Sequence, residues 1–397
     1  MVEKDIAIIL NKLYLLKMLP SFYQTHLENQ LENSELLFLN VLINVLQDIK
    51  EVNIEKIATN LPFPILFDSR RKKLQRFLSL PAFNIENLWF PIIKNWLLKN
   101  FTSDKTIYLV IDRTNWSRNN LIMLSIIYDK RAIPIYFELL PKLGSSNFEE
   151  QKRVFSQVLA LLKEYKIIVL GDREFCSIQL GSWLKEQEVK FCLRLKKSEN
   201  IEVAEGIWQS LDNLGLKPGI SLFLNNAKVT KTKKNEGFNL ASKWKKKFHG
   251  CAPKEGWFIL TNLPDVTDAI NAYKKRFDIE EMFRDFKSGG YNLESTNASG
   301  LRLISLILII AFAYSLATFN GLIIKKKGVQ KYVGRVRESG RTTRRHSSFY
   351  IGLYGQSWVK FMDDCWGLVE KLMRLNRNKL ENYLRGMRAM ELILSTF

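Results

Sequence analysis

Histidine and cysteine are scarce in this 397-residue chain, and their scarcity removes whole classes of chemistry. The three histidines, His26, His249 and His346, are too dispersed to form a metal cluster, and no H-E-x-x-H motif occurs. The four cysteines, Cys176, Cys192, Cys251 and Cys365, include no C-x-x-C pair, which argues against a zinc site or a disulfide framework and fits a reducing compartment. The opening MVEKDIAIIL lacks a basic n-region and a small-residue cleavage site, so export is not expected. No repeat of solenoid length is visible. One long apolar run, Leu303 to Phe319, has the composition of a membrane span, but it falls short of the roughly 20 residues needed and carries two serines and a threonine, so a buried core helix is expected.

Acidic side chains are also outnumbered. The chain has 60 Lys+Arg against 40 Asp+Glu, a formal charge of +20, which points to a polyanionic partner such as nucleic acid or an anionic membrane. The surplus is uneven: residues 1–60 hold eight acids and five bases, whereas residues 325–345 hold nine bases and one acid. With 46% apolar residues the chain can bury a large core, and its length implies two or three structural units.

Residues 1–98 show helix-period patterning interrupted by prolines at NLPFPILF and read as an N-terminal helical domain. Its last third turns basic at SRRKKLQRFLSL, where Arg70, Arg71, Lys72, Lys73 and Arg76 are interleaved with apolar residues and are candidates for binding DNA. From Thr106 the pattern changes to continuous apolar runs, the mark of strands buried on both faces. TIYLVID is the first; NLIMLSIIYDKRAIPIYFELL reads as two antiparallel strands joined at Asp129 to Arg131. A helix, the strand KIIVLGD, a second helix and the strand KFCLRLKK complete a first part of an α/β core at 99–195. Residues 196–256, with Gly and Asn turns and Lys243, Lys245, Lys246 and Lys247, read as a β-rich insertion. Residues 257–324 return to the core, and 325–397 form a basic segment followed by a helical region.

Two of these apolar strands stop at an aspartate, Asp112 in YLVIDRTNW and Asp172 in IIVLGDREF. Sites in α/β sheets gather where strands end, because side chains there leave the core yet remain held by it. A third acid comes from YKKRFDIEEMFRDFKSGG, read as one helix from Tyr273 to Gly290. At about 100° per residue, Arg276, Glu280 and Lys287 share roughly a 60° sector with Tyr273, while Ile279, Met282, Phe283 and Phe286 take the adjoining core arc. Asp278, Glu281 and Asp285 fall away from both, so Glu280, not Glu281, is the candidate. Three converging carboxylates without histidine or cysteine make a hard all-oxygen site suited to Mg²⁺ or Mn²⁺, and two such ions support phosphodiester chemistry.

Tyr273, Arg276, Glu280 and Lys287 stand at the Y-x2-R-x3-E-x6-K spacing, and with IDRTNW, GDREF, KFCLRLKK and GWFILTNL the sequence resembles the DDE transposases of insertion sequence family 4 over about residues 70–320. The resemblance implies a ribonuclease-H-like mixed sheet flanked by helices, a triad of Asp112, Asp172 and Glu280 holding two Mg²⁺ ions, and a homodimer that pairs transposon ends. It implies cut-and-paste transposition of double-stranded DNA, by way of a DNA hairpin that is reopened, from terminal inverted repeats into a target, in a cytoplasmic protein associated with the nucleoid and not with a membrane. It further implies phosphate contacts from Tyr273, Arg276 and Lys287, base stacking by Trp257, and DNA contacts from Arg173, Glu174 and Arg194. Two other classes remain in play: a stand-alone metal-dependent nuclease of the same fold, and a non-catalytic DNA-binding regulator derived from a transposase.

Overall fold

The computed structural model describes residues 19–229, 238–247, 253–335, 337, 339, 345–375 and 377–397. His249, Cys251 and part of the 325–345 basic run lie outside the described residues. The chain forms two units, one made of residues up to Ile92 together with Asp285–Phe397, the other of Ile93–Arg284.

The first unit begins with α1 (Ser21–Leu27), α2 (Asn33–Ile49), α3 (Ile54–Asn60) and α4 (Phe67–Phe77). A capping box between Glu32 and Glu35 starts α2, and the left-handed Lys50 ends it. Asn53 caps α3 by accepting from the backbone of Glu55 and Lys56. Helix α4 buries Leu74 and Phe77 and leaves Lys72, Lys73 and Arg76 exposed, whereas Arg70 turns inward, its Nε buried and its Nη1 donating to Leu61 O at 3.3 Å. Helix α5 (Phe90–Asn100) carries the chain into the second unit.

The second unit is built on an eight-stranded mixed sheet of order β3-β2-β1-β4-β5-β10-β9-β8. Its strands are β1 (Thr106–Trp116), β2 (Asn119–Tyr128), β3 (Arg131–Leu139), β4 (Lys166–Gly171), β5 (Lys190–Arg194), β8 (Ser221–Leu224), β9 (Asn239–Lys243) and β10 (Trp257–Thr261), while β6 (Asn200–Ala204) and β7 (Ile207–Ser210) form a separate pair. Asp129 and Lys130, both at positive φ, make the two-residue turn between β2 and β3. β1 runs antiparallel to β2 and parallel to β4, which is parallel to β5. Helices α6 (Phe148–Leu161) and α7 (Ile178–Glu186) provide the crossovers into β4 and β5. This is the mixed α/β sheet flanked by helices that the sequence predicts. In the 196–256 segment, β8 and β9 lengthen the main sheet beyond β10.

After β10 come α8 (Val266–Lys274) and α9 (Phe277–Phe286). The stretch expected to be one helix is therefore broken at Lys275 and Arg276. The backbone there closes i→i+3 bonds, Arg276 N–H to Tyr273 O at 3.0 Å and Ile279 N–H to Arg276 O at 3.2 Å, a tight turn that a 100° wheel does not anticipate. Ile279, Met282, Phe283 and Phe286 are buried as expected. Asp285 is also buried, against its expected solvent position.

The first unit is completed by α10 (Gly300–Lys326), α11 (Ser348–Asp364), α12 (Trp366–Leu375) and α13 (Leu380–Leu394). Helix α10 is long and apolar enough to cross a membrane, but 83% of its apolar window is buried inside the protein, so it is a core helix as expected. It meets α11 at two glycines whose missing Cβ atoms allow backbone contact: a Cβ on Gly321 would lie 1.8 Å from Ser348 O, and one on Gly352 1.8 Å from Ala317 O. The hydroxyls of Tyr23 and Ser315 satisfy each other at 2.9 Å in this core.

Candidate active site

Strand register brings the two aspartates together. The last parallel pair between β1 and β4 is Ile111 with Gly171, and Asp112 and Asp172 are the next residue on each strand. Leu193 pairs with Gly171 on the other side, so Arg194 is the corresponding residue of β5. Three neighbouring parallel strands thus present Asp112, Asp172 and Arg194 at one carboxyl end of the sheet. Asp112 is not a strand terminus, since β1 continues to Trp116 in antiparallel pairing with β2. What ends there is its parallel partner, where Gly171 lets Leu193 and Phe175 close in and the chain turns through a Phe175 N–H to Asp172 O bond of 2.9 Å.

Helices α8 and α9 supply the rest. Tyr273, in the last turn of α8, is fully buried and donates its hydroxyl to Asp172 Oδ1 at 3.4 Å. Arg276, in the joint between the helices, is only 2% exposed. Its Nη1 lies 3.5 Å from Asp112 Oδ2, and its Nη2 pairs with Glu280 on the first turn of α9. Glu280 is half exposed, whereas Asp112 is mostly buried. Glu281 faces elsewhere and pairs with Arg131, at 3.7 Å, and with Arg284. Asp278, expected in solvent, is partly buried, and burial pushes its carboxyl up to about 6 against the pull of Arg131 and Lys275.

The electrostatics follow from this crowding. Burial pushes the Asp112 carboxyl up to about 6; the Arg113 backbone N–H, at 2.8 Å from Oδ1, and the Arg276 charge pull it down, while Asp172 and Glu280 push it further up. Burial opposes the Arg276 charge, yet Tyr273, Asp172, Glu280 and Asp112 outweigh it and raise the guanidinium pKa. Burial likewise raises the Tyr273 phenol, which stays a neutral donor at physiological pH.

Trp257, the first residue of β10, packs edge-to-face on Tyr273 with ring centroids 5.2 Å apart and lies 5.8 Å from Phe277, with Lys245 Nζ 5.7 Å over its ring. Arg173 and Arg194 share Glu255, Arg194 at 2.7 Å. Glu174 is held by Arg113 through bonds of 2.7 and 2.9 Å and also accepts from Ser146 N–H at 3.1 Å, so it braces the turn that carries Asp172. Arg113 and Glu255 were not singled out from the sequence; Arg113 adjoins Asp112 in IDRTNW, and Glu255 stands two residues before Trp257.

Asp112, Asp172, Glu280, Tyr273, Arg276, Arg194 and Trp257 therefore belong to one neighbourhood, with Arg173 and Glu174 on its margin. Lys287 falls just past α9 in the other unit, where it pairs with Glu294 at 2.7 Å. Arg70, Arg71, Lys72, Lys73 and Arg76 are also in that unit; Arg71 binds Glu55 at 2.5 Å, and Lys73 lies over the rings of Phe38 and Phe63.

The donor chemistry fits a hard divalent cation, being three carboxylates with no histidine or thiol among them. The spacing differs from the expectation of pooled acids. Among the described residues no group of three His, Cys, Asp or Glu side chains is drawn tightly enough to hold a metal ion, and the Arg276 guanidinium links Asp112 to Glu280.

The sequence profile described as transposase DDE domain matches residues 109–316, just over half of the chain. Among solved structures, the chain is similar to a piggyBac transposase in a synaptic complex with hairpin DNA, at 13% identity and a TM-score of 0.45, over 97% of this chain and 82% of that one. It is also similar to the Marinitoga piezophila Argonaute, at 11% identity and a TM-score of 0.24, over 55% of this chain and 34% of that one. No curated protein matches by sequence.

Proposed function

The chain belongs to the transposase DDE domain family, and on that premise we propose that it is a DNA transposase whose catalytic carboxylates are Asp112, Asp172 and Glu280. The observation that carries this reading is the register of the sheet, which sets Asp112 on β1 beside Asp172 where β4 ends, while Arg276 ties Glu280 to Asp112.

These three acids would hold Mg²⁺ or Mn²⁺, two ions per site, which when bound would activate a water or a 3′-hydroxyl and stabilise the leaving oxygen of an in-line displacement. The chain's own residues set the conditions for that chemistry. Asp112 and Asp172 are fixed by the sheet, so the site is precise where it meets the core. Tyr273 holds the Asp172 carboxylate in orientation as a neutral donor. Glu174 and Arg113 stiffen the turn behind it. Trp257 offers an aromatic face beside Tyr273 on which an extruded base would stack, offsetting the few kcal/mol that extrusion costs.

The finer reading is a cut-and-paste enzyme of the insertion sequence family 4 type, which frees transposon ends through a hairpin and joins them to target DNA as a homodimer. The spacing of Tyr273, Arg276, Glu280 and Lys287 supports it, and so does the net charge of +20. Lys287, Arg173, Arg194 and the α4 cations are assigned to DNA phosphates.

The test is incubation of the full chain with Mg²⁺ and a DNA duplex carrying the sequences that flank its gene. Cleavage at the repeat boundary followed by joining to a target plasmid, both lost in Asp112→Asn, is the expected result. Cleavage without joining would identify a nuclease, and binding without cleavage a regulator.

A further inference from the structure

A buried arginine tied to two acids of a metal site poses a problem that the catalytic assignment leaves open. Arg276 presents 2% of its surface, and its terminal nitrogens are directed at Asp112 and Glu280, not at solvent where a phosphate would lie. Its Cζ sits 4.7 Å from the Phe277 ring centroid and 5.8 Å from that of Tyr273, so aromatic rings flank the guanidinium. Its Nε is buried without a hydrogen-bond partner. The side chain is thus held by charge and ring contacts more than by a complete set of hydrogen bonds.

Two carboxylates near one another in a partly dry site each raise the cost of ionising the other, and a cation set between them offsets that cost. Arg276 provides that cation. Of its two partners, Asp112 is fixed on a central strand, while Glu280 is half exposed on the first turn of a helix. Glu280 is therefore the partner able to change rotamer.

We propose that Arg276 is a positioning residue, an internal counter-ion that holds Asp112 and Glu280 in readiness and gives up Glu280 when a divalent cation enters the acid cluster. The inference rests on the assignment of Asp112, Asp172 and Glu280 as metal-holding residues. It makes Arg276 and the metal competitors for one carboxylate, so the arginine keeps the empty site assembled at a cost in metal affinity.

The experiment is Mn²⁺ binding to the full chain, followed by the electron paramagnetic resonance signal of free Mn²⁺, in wild type, Arg276→Gln, Arg276→Lys and Asp112→Asn. Glutamine removes the competing charge, and binding should tighten at least about fivefold, the effect of one unit charge at about 4 Å even in a water-like medium. Lysine keeps the charge, and its affinity should remain within about twofold of wild type. Unchanged or weaker Mn²⁺ binding by folded Arg276→Gln overturns the proposal, since a purely structural or phosphate-binding arginine gives that result. Should Arg276→Gln fail to fold, the side-chain ¹⁵N spectrum of wild type decides, with Arg276 assigned from Arg276→Lys: Mg²⁺ must shift the Arg276 resonance, and an unmoved signal overturns the proposal. Asp112→Asn separates the two claims. If it leaves Mn²⁺ binding intact, the metal-site assignment itself fails and this inference with it; if it abolishes binding while Arg276→Gln changes nothing, only the inference fails.

Discussion

Replacing Asp112 with asparagine should make the protein more stable while removing its activity. The carboxyl is pushed up to about 6 from an ordinary 3.8, a figure that already includes the attraction of Arg276. A raised folded-state pKa means that the protonated form stabilises the fold: the contribution is complete below the ordinary value and is lost as pH climbs towards 6. At pH 7.5 the ionised Asp112 therefore costs the fold on the order of 3 kcal/mol. Asparagine avoids that cost and keeps an oxygen to accept the 2.8 Å bond from Arg113 N–H. For a unit of this size, 1 kcal/mol corresponds to about 2–4 °C, so a gain of roughly 5 °C or more is expected. The assay is thermal unfolding by circular dichroism in EDTA, for wild type and Asp112→Asn, from pH 7.5 to pH 4. The gap between the two should be widest above pH 6 and close progressively towards pH 4. An asparagine variant that melts at or below wild type at pH 7.5, or a gap indifferent to pH, would refute the reasoning.

Three further outcomes are expected. Glu174→Ala removes both bonds to Arg113 and the acceptor of Ser146 N–H, leaves Arg113 unpaired, and should cost about 2–4 kcal/mol in urea unfolding; a loss below about 0.5 kcal/mol would deny the brace. Gly321→Ala forces a methyl into the Ser348 carbonyl oxygen and should destabilise the α10–α11 pair by more than about 3 kcal/mol, measured by chemical denaturation; a neutral effect would contradict the close approach. Binding to duplex DNA should weaken steeply with salt, and changing Lys72, Lys73 and Arg76 to alanine should lower the slope of log K against log salt by up to about 3, at about 0.9 per phosphate contact; a slope unchanged by the triple variant would remove α4 from the DNA surface.

The sheet was legible because its strands are buried on both faces. The apolar runs of β1, β2, β3 and β4 need no periodicity to be recognised, and the Asp129–Lys130 turn separates two of them cleanly. The aspartate pair was legible for the same reason, since each acid interrupts an apolar run at the same depth. Helix α9 yielded its core face to the 100° wheel, but the break at Arg276 did not show, because i→i+3 closure leaves no compositional trace. Asp285 went inside and Asp278 partly so despite their charge, an outcome set by tertiary surroundings rather than by position on the wheel. The burial of Arg276 was equally hidden: an arginine among lysines reads as surface, and only the fold shows that its partners are Asp112 and Glu280. The extension of the sheet by β8 and β9 was obscured because those strands are short and partly polar.

Three carboxylates that close around divalent metal are the core of the proposed mechanism. A crystal of the full chain soaked in Mn²⁺ and measured at a wavelength where manganese scatters anomalously tests this most directly. The expected result is an anomalous peak within about 2.2 Å of oxygens from both Asp112 and Asp172, with Glu280 turned from Arg276 towards it. Anomalous density confined to other residues, with Arg276 still bound to Glu280, would contradict it.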